Sequence, residues 1–271
     1  MAEVTFDRAL LDRLLVLLGD PDGDLCFLLP FFENTLGAAA DVQDVSSRGL
    51  HAVNQVAVDN VPVIRGNLLS YRSNGTDETM EIDDNVLLTP ISAAVDVAFS
   101  VGIAFKLDAL NAANKHLISK WDDQTPLAEW RLYLDATENP SFELMDNSVG
   151  ATGNLGVSDA TVVDIDEWYV MIGTYDGRGT DDANDGMSIY LWNSGAWLGA
   201  VDDTLIDGAG AYVDMEDTAT PVMIWGADTA AGPVAAEWFD GETMLPFMTR
   251  RELSAAQAEL VARQMVRLME L

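Results

Sequence analysis

Hydrophobic and polar positions alternate along most of this chain with a period of two residues. The clearest case runs from Val95 to Leu107, where Val95, Val97, Phe99, Val101, Ile103, Phe105 and Leu107 are interleaved with Asp96, Ala98, Ser100, Gly102, Ala104 and Lys106. Successive side chains of a strand point to opposite faces, so this spacing predicts one long strand with a single core face. Shorter alternations point Trp130, Leu132 and Leu134 inward, then Phe142 with Leu144, then Trp168, Val170 and Ile172, then Ile189 with Leu191. Turn residues bound each run: Glu138 to Pro140, Asp146 to Ser148, Asp176 with Gly177, and Asn193 to Gly195. Many short strands with no long helix between them predict an antiparallel sandwich and exclude a parallel α/β sheet.

The two ends follow another period. Phe6, Leu10, Leu14, Leu17 and Leu18 recur at helical spacing, with Thr5 as N-cap and Gly19 as stop, and Leu11 and Leu15 widen the apolar stripe. That width suits packing on the body or on a neighbouring subunit, and the second option makes Leu10, Leu11, Leu14, Leu15 and Leu18 the candidate docking residues. At the other end Ser254 and Gln257 have capping-box spacing, and Leu260, Val261, Met265, Leu268 and Met269 follow on one side of a helix. Arg263 and Arg267 lie toward its C-terminus, where cations suit the helix dipole. The organisation expected is a helical arm over 1–24, a sandwich over 25–252 and a closing helix over 253–271.

Composition narrows the function classes. A hydrophobic fraction of 49% in 271 residues excludes wholesale disorder. Charged residues break every apolar run well short of the roughly 20 residues of a membrane span, and no secretion signal is expected around Leu10 to Leu18 because Asp12 and Arg13 interrupt it. Forty-five Asp and Glu against 14 Lys and Arg give a formal charge of −31, which makes nucleic acid a poor partner. Cys26 is the one cysteine, so neither an intrachain disulfide nor a thiolate metal cluster can form. His51 and His116 are the only histidines and stand far apart, which gives no zinc or triad pattern.

Several phrases, in order, resemble the laminin-G and pentraxin-like branch of the concanavalin A-like lectin/glucanase superfamily, over roughly residues 25–262. They are Asp44 to His51, Tyr71 to Asp77 with Met80 to Asn85, Trp168 to Gly177 followed by Ile189 to Gly195, and Trp238 to Glu242 with Leu253 to Gln257. The resemblance implies an all-β, antiparallel jelly-roll sandwich, here with short N-terminal and C-terminal helices. The wording after Tyr175 and from Ile118 to Asp122 is similar in style to such domains in tailed-phage virion proteins. It implies a non-enzymatic decoration, cement or fibre-like component on the exterior of a capsid or tail. Partners would then be capsid or tail proteins and its own copies in a homo-oligomer. The alternative is a lectin-like adhesion module at an extracellular surface that binds host glycans.

Candidate chemistry follows from both sources. A glucanase of the superfamily needs paired carboxylates flanking a glycosidic bond; Glu81 to Asn85 lacks the second Glu, and Asp164 to Glu167 reads as the turn before a strand. No catalytic residue is therefore assigned. Calcium is the one cofactor worth carrying, since hard oxygen ligands in loops suit it. The resemblance implies a structural ion near Asp44 and Asp240. A second cluster is Asp176, Asp181, Asp182 and Asp185, for which plain solvation is the competing explanation. Sugar rings stack on exposed aromatic faces, and Trp192, Trp197 and Trp225 are the candidates; Trp192 opposes the parity of Ile189 and Leu191, which turns it outward.

Overall fold

The computed structural model describes residues 8–31, 41–54, 63–65, 68–93, 95–110, 113–122, 127–180, 182–193, 195–200, 204–207, 212–227 and 237–269. Helix α1 (Arg8–Leu17) comes first and is followed by β1 (Leu25–Leu28), β2 (Asp41–Val42), β3 (Ala52–Asn54), β4 (Val63–Arg65), β5 (Leu68–Asn74) and β6 (Met80–Ile82). The middle of the chain forms β7 (Phe99–Leu107), β8 (Lys115–Lys120), β9 (Trp130–Leu134), β10 (Pro140–Met145), β11 (Asn154–Ser158) and β12 (Trp168–Tyr175). Then come β13 (Met187–Asn193), β14 (Ala196–Ala200), β15 (Thr204–Asp207), β16 (Val222–Ile224), β17 (Asp240–Thr249) and α2 (Ala255–Met269).

Two antiparallel sheets result. One has the order β14-β13-β12-β7-β17-β5-β4, with β1 also on β17, and the other has the order β15-β11-β10-β9-β8-β16-β6-β3-β2. Strand β17 has β7 along one side and shares the other between β5, at Asp240 to Thr243, and β1, at Phe247 to Thr249. Phe99, Val101, Ile103, Phe105 and Leu107 of β7 meet Trp130, Leu132, Leu134, Phe142 and Leu144 of the facing sheet in one fully buried core. The chain is thus an antiparallel β-sandwich with two helices.

The helices form a third layer on the outer face of the first sheet. Leu11, Leu14, Leu15 and Leu18 close with Val261, Met265, Leu268 and Met269 over Trp168, Val170, Ile172, Tyr190, Trp192 and Phe247. Gly19 ends α1 with φ of 84°, a backbone region that glycine enters at no steric cost. Gly102 leaves room for Phe247; a Cβ there would stand 2.6 Å from the Phe247 ring. One arm of the predicted capping box is present at the start of α2: the Gln257 side-chain oxygen accepts the Ser254 N–H at 3.0 Å, and the Ser254 hydroxyl donates to the same oxygen at 2.8 Å.

Three expectations change. The strand read from Val95 starts only at Phe99, because Ser92 and Val95 close a turn on each other and Val95 stays exposed. Along β12 the parity is reversed: Tyr169, Met171 and Tyr175 face the sandwich core, while Trp168, Val170 and Ile172 face the helices. Leu260, expected on the buried side of α2, is 52% exposed.

Cys26 lies in the core beside Leu87, whose carbonyl accepts its thiol at 3.2 Å, and burial pushes its pKa up to about 12. The native protein should therefore resist dithionitrobenzoate and react once unfolded in guanidinium. Rapid labelling of the folded chain would contradict this placement.

Candidate functional site

The outer margin of the first sheet is the hairpin of β13 and β14. Alternation along β13 sends Ile189 and Leu191 into the sandwich and Tyr190 and Trp192 toward α2. Trp192 does turn away from the sandwich, as its parity predicts, but α2 covers it and leaves it 4% exposed. On the margin strand β14, Trp197 is half-buried and stacks on Tyr190, with ring centroids 5.8 Å apart and planes at 15°. Beside this pair lies a pocket of about 200 Å³ lined by Trp192, Gly195, Arg263, Val266 and Arg267. Further along α2 a groove of about 510 Å³ opens between the helices, lined by Asp12, Arg13, Val16, Leu17, Leu260, Arg263, Gln264 and Arg267.

Both cavities share Arg263 and Arg267, which the spacing of four residues places on one helix face. Arg263 donates to Glu259 at 2.6 Å, while neither Arg13 nor Arg267 has an ion-pair partner among the described residues. In a chain this acidic, cations left open beside aromatic and aliphatic surface favour a carboxylated ligand. The i,i+4 repetition of arginine was readable in the sequence; the lack of partners was not.

The docking leucines are spent internally. Leu11, Leu14, Leu15 and Leu18 are buried under α2 and Leu10 packs partly against the same cluster, so α1 packs on its own body. Trp225 is likewise no platform. It is fully buried, and its indole N–H donates to the Thr243 hydroxyl at 2.7 Å.

Asp44 and Asp240 are not brought together. The Asp44 carboxylate takes the N–H groups of Leu28 at 2.9 Å, Ser46 at 2.8 Å and Leu50 at 2.7 Å, plus the Ser46 hydroxyl at 2.6 Å. It organises its own loop. Leu28 pairs with Phe247, toward one end of β17, whereas Asp240 pairs with Asn74 at the other, so the two carboxylates stand about 20 Å apart along the strand. Asp176 is occupied by Arg178, whose guanidinium donates at 2.6 and 2.9 Å. Asp182 precedes a short 3₁₀ turn and Asp185 lies within it, and Asp181 lies outside the described residues. Among the described residues no group of three or more His, Cys, Asp or Glu is placed to hold a metal.

A polar network that the sequence reading missed covers the outer face of the second sheet. Arg131 of β9 lies between the rings of Trp121, at 4.1 Å, and Tyr133, at 4.3 Å, and its Nε donates to Glu143 at 2.5 Å. His116 stands 3.3 Å from the same guanidinium and 3.5 Å from Glu237, and Asn154 donates to Glu143 at 3.0 Å. His116, Glu143, Tyr133 and Trp121 are buried and the Arg131 guanidinium lies on both rings, so those ring faces are already taken. Burial also holds the Tyr133 hydroxyl well above its usual pKa. The network fastens strands together and offers no open ring to a sugar. Of the acids weighed for glycoside hydrolysis, Asp84 is tied to Lys120 at 3.1 Å and Asp166 sits exposed at a turn.

No family model matches the chain, and no curated protein matches it by sequence. Solved structures do. The binding domain of paraclostridial mosquitocidal protein 1 superposes with a TM-score of 0.58 at 13% identity, over 88% of this chain and 52% of that one. The ligand-binding domain of botulinum neurotoxin serotype D, in complex with N-acetylneuraminic acid, gives 0.57 at 12% identity, over 93% and 53%. Domain 4 of an extracellular arabinanase from Geobacillus stearothermophilus, in complex with arabinotriose, gives 0.55 at 12% identity, over 88% and 98%. The chain thus spans about half the length of the clostridial domains and nearly all of the arabinanase domain. At these identities the likeness shows the fold alone: a sheet-rich sandwich shared with binding domains and compatible with a lectin-like jelly roll.

Proposed function

We propose that this chain is a non-enzymatic carbohydrate-binding module that holds an acidic glycan at the hairpin margin. The observation that carries the reading is the stacked pair Tyr190 and Trp197 beside a pocket containing Trp192, Arg263 and Arg267. An aromatic edge supplies the apolar face of a sugar ring with its platform, and paired guanidiniums supply a carboxylate with donors. Two of the structural neighbours are complexes with a sugar, N-acetylneuraminic acid in one and arabinotriose in the other, which supports the same class of ligand. The setting that goes with this reading is an extracellular or cell surface. A place on the exterior of a phage particle rests on the resemblance of phrases alone.

A glycan array carrying sialylated, uronic-acid and neutral sugars tests the proposal. Retention of acidic glycans is expected, weakened about tenfold by Trp197→Ala, equivalent to about 1.4 kcal/mol. An array with no hits, or a Trp197→Ala chain that binds as well as the parent, would overturn it.

A further inference from the structure

The larger groove, between α1 and α2, shares Arg263 and Arg267 with the glycan pocket, but its apolar walls have no part in the glycan reading. Its walls are aliphatic: Val16 is 61% exposed and Leu260 52% exposed, with Leu17 between the helices. Gln264 lines it without making it polar, because its amide is buried and donates to the Leu10 carbonyl at 2.8 Å. Its volume of about 510 Å³ falls in the range of small-molecule pockets, roughly 300 to 1,000 Å³.

Charge selects the occupant. Several cations elsewhere in this acidic chain are met by carboxylates, Arg8 by Asp12, Arg72 by Asp108, Arg131 by Glu143 and Arg178 by Asp176, while Arg48 and Arg250 donate to backbone carbonyls. Arg13 and Arg267 line the groove without such a partner among the described residues. Asp12, the acid on the wall, is already held by Arg8 at 2.8 Å. Arginine stems extend aliphatic surface while their heads remain at the water boundary, so the groove is apolar within and cationic at its rim.

We propose that this groove binds a monomeric medium-chain alkyl carboxylate, with the chain along Val16, Leu17 and Leu260 and the carboxylate on the guanidiniums of Arg13 and Arg267. A docked helix uses apolar anchors along several turns, more than these three side chains offer. An anionic membrane surface would be opposed by the formal charge of −31 on the body.

Decanoate, below its micellar concentration, is the probe, with decanol as its uncharged counterpart, and binding is read by calorimetry and by the shift in melting temperature. Decanoate should bind about tenfold more tightly than decanol and raise the melting temperature. Arg13→Ala, which leaves the glycan pocket untouched, should bring decanoate down to the decanol level. Leu260→Asp, at an exposed site, should abolish binding of both while the parent melting temperature is retained. Equal binding of the two probes, no binding of decanoate, or unchanged binding by Arg13→Ala would overturn the proposal. So would two rival occupants. One is a membrane, seen if the chain sediments with phosphatidylserine vesicles but ignores decanoate. The other is a second copy, seen if light scattering finds a dimer that Leu260→Asp dissociates. Arg267 lines both cavities, so the two readings are told apart by the residues they do not share: Arg13→Ala should leave glycan retention intact and Trp197→Ala should leave decanoate binding intact, and failure of one result leaves the other standing.

Discussion

Lys120→Met is expected to destabilise the protein by about 3 to 5 kcal/mol, lowering the melting temperature by about 10 °C. Lys120 is wholly buried, and its ammonium donates to Glu129 at 2.5 Å and to the Thr218 carbonyl at 2.9 Å. Glu129 is equally buried, and burial raises its pKa against the opposing pull of Lys120. Removing the cation strands the anion, which costs more than the pair contributes. Lys120→Met combined with Glu129→Gln should therefore recover most of the loss, since the amide oxygen can still accept the two bonds that Thr218 gives at 2.8 Å. The sign with pH follows. A Glu129 carboxyl whose folded pKa is raised further contributes stability that is present below its unfolded value and lost as pH rises through the folded one. The penalty of Lys120→Met should thus shrink as pH is lowered. A double variant as unstable as the single one, by calorimetry, would refute the charge-burial account.

Asp96→Ala should cost about 3 kcal/mol or more by a different route. Its carboxylate accepts the hydroxyls of Tyr175 at 2.8 Å and Tyr212 at 2.6 Å and the Met215 N–H at 2.8 Å, all buried. Each donor left stranded costs about 1 to 3 kcal/mol. Burial raises the pKa of Asp96 despite these bonds. Its contribution is complete below the unfolded value of about 3.8 and declines as pH rises through the folded value. The advantage of the parent over Asp96→Asn should therefore widen toward acid pH in thermal unfolding. An advantage that narrowed instead would show that the carboxylate is held charged.

Much of the sandwich was legible because one-sided burial writes itself into alternation. Trp130, Leu132 and Leu134, or Phe142 and Leu144, could be assigned to the core from spacing alone, since polar residues stand between them. The β12 strand could not. Every residue from Trp168 to Tyr175 is buried, with sandwich on one side and helices on the other, so the sequence holds no contrast from which to choose a face. The same cover misled the reading of Trp192, whose direction was right and whose exposure was not. Asp44 and Asp240 share a resemblance to a known motif, yet the motif does not show how many N–H groups Asp44 already satisfies. Nor does a list of arginines reveal which lack an acid nearby, and the groove rests on that distinction.

The helix layer also has a temporal consequence. Its two sides come from opposite ends of the chain: Gln264 bonds to Leu10, 254 positions away, and Thr249 bonds to Leu18 across 231. During synthesis the aromatic outer face carried by Trp168, Tyr190 and Trp192 must wait for α2 to leave the ribosome before it is covered, and contacts of such separation are slow to form. Until then a nascent or C-terminally clipped chain carries an oily, adhesive flank, and repulsion between chains of such dense negative charge opposes their meeting there.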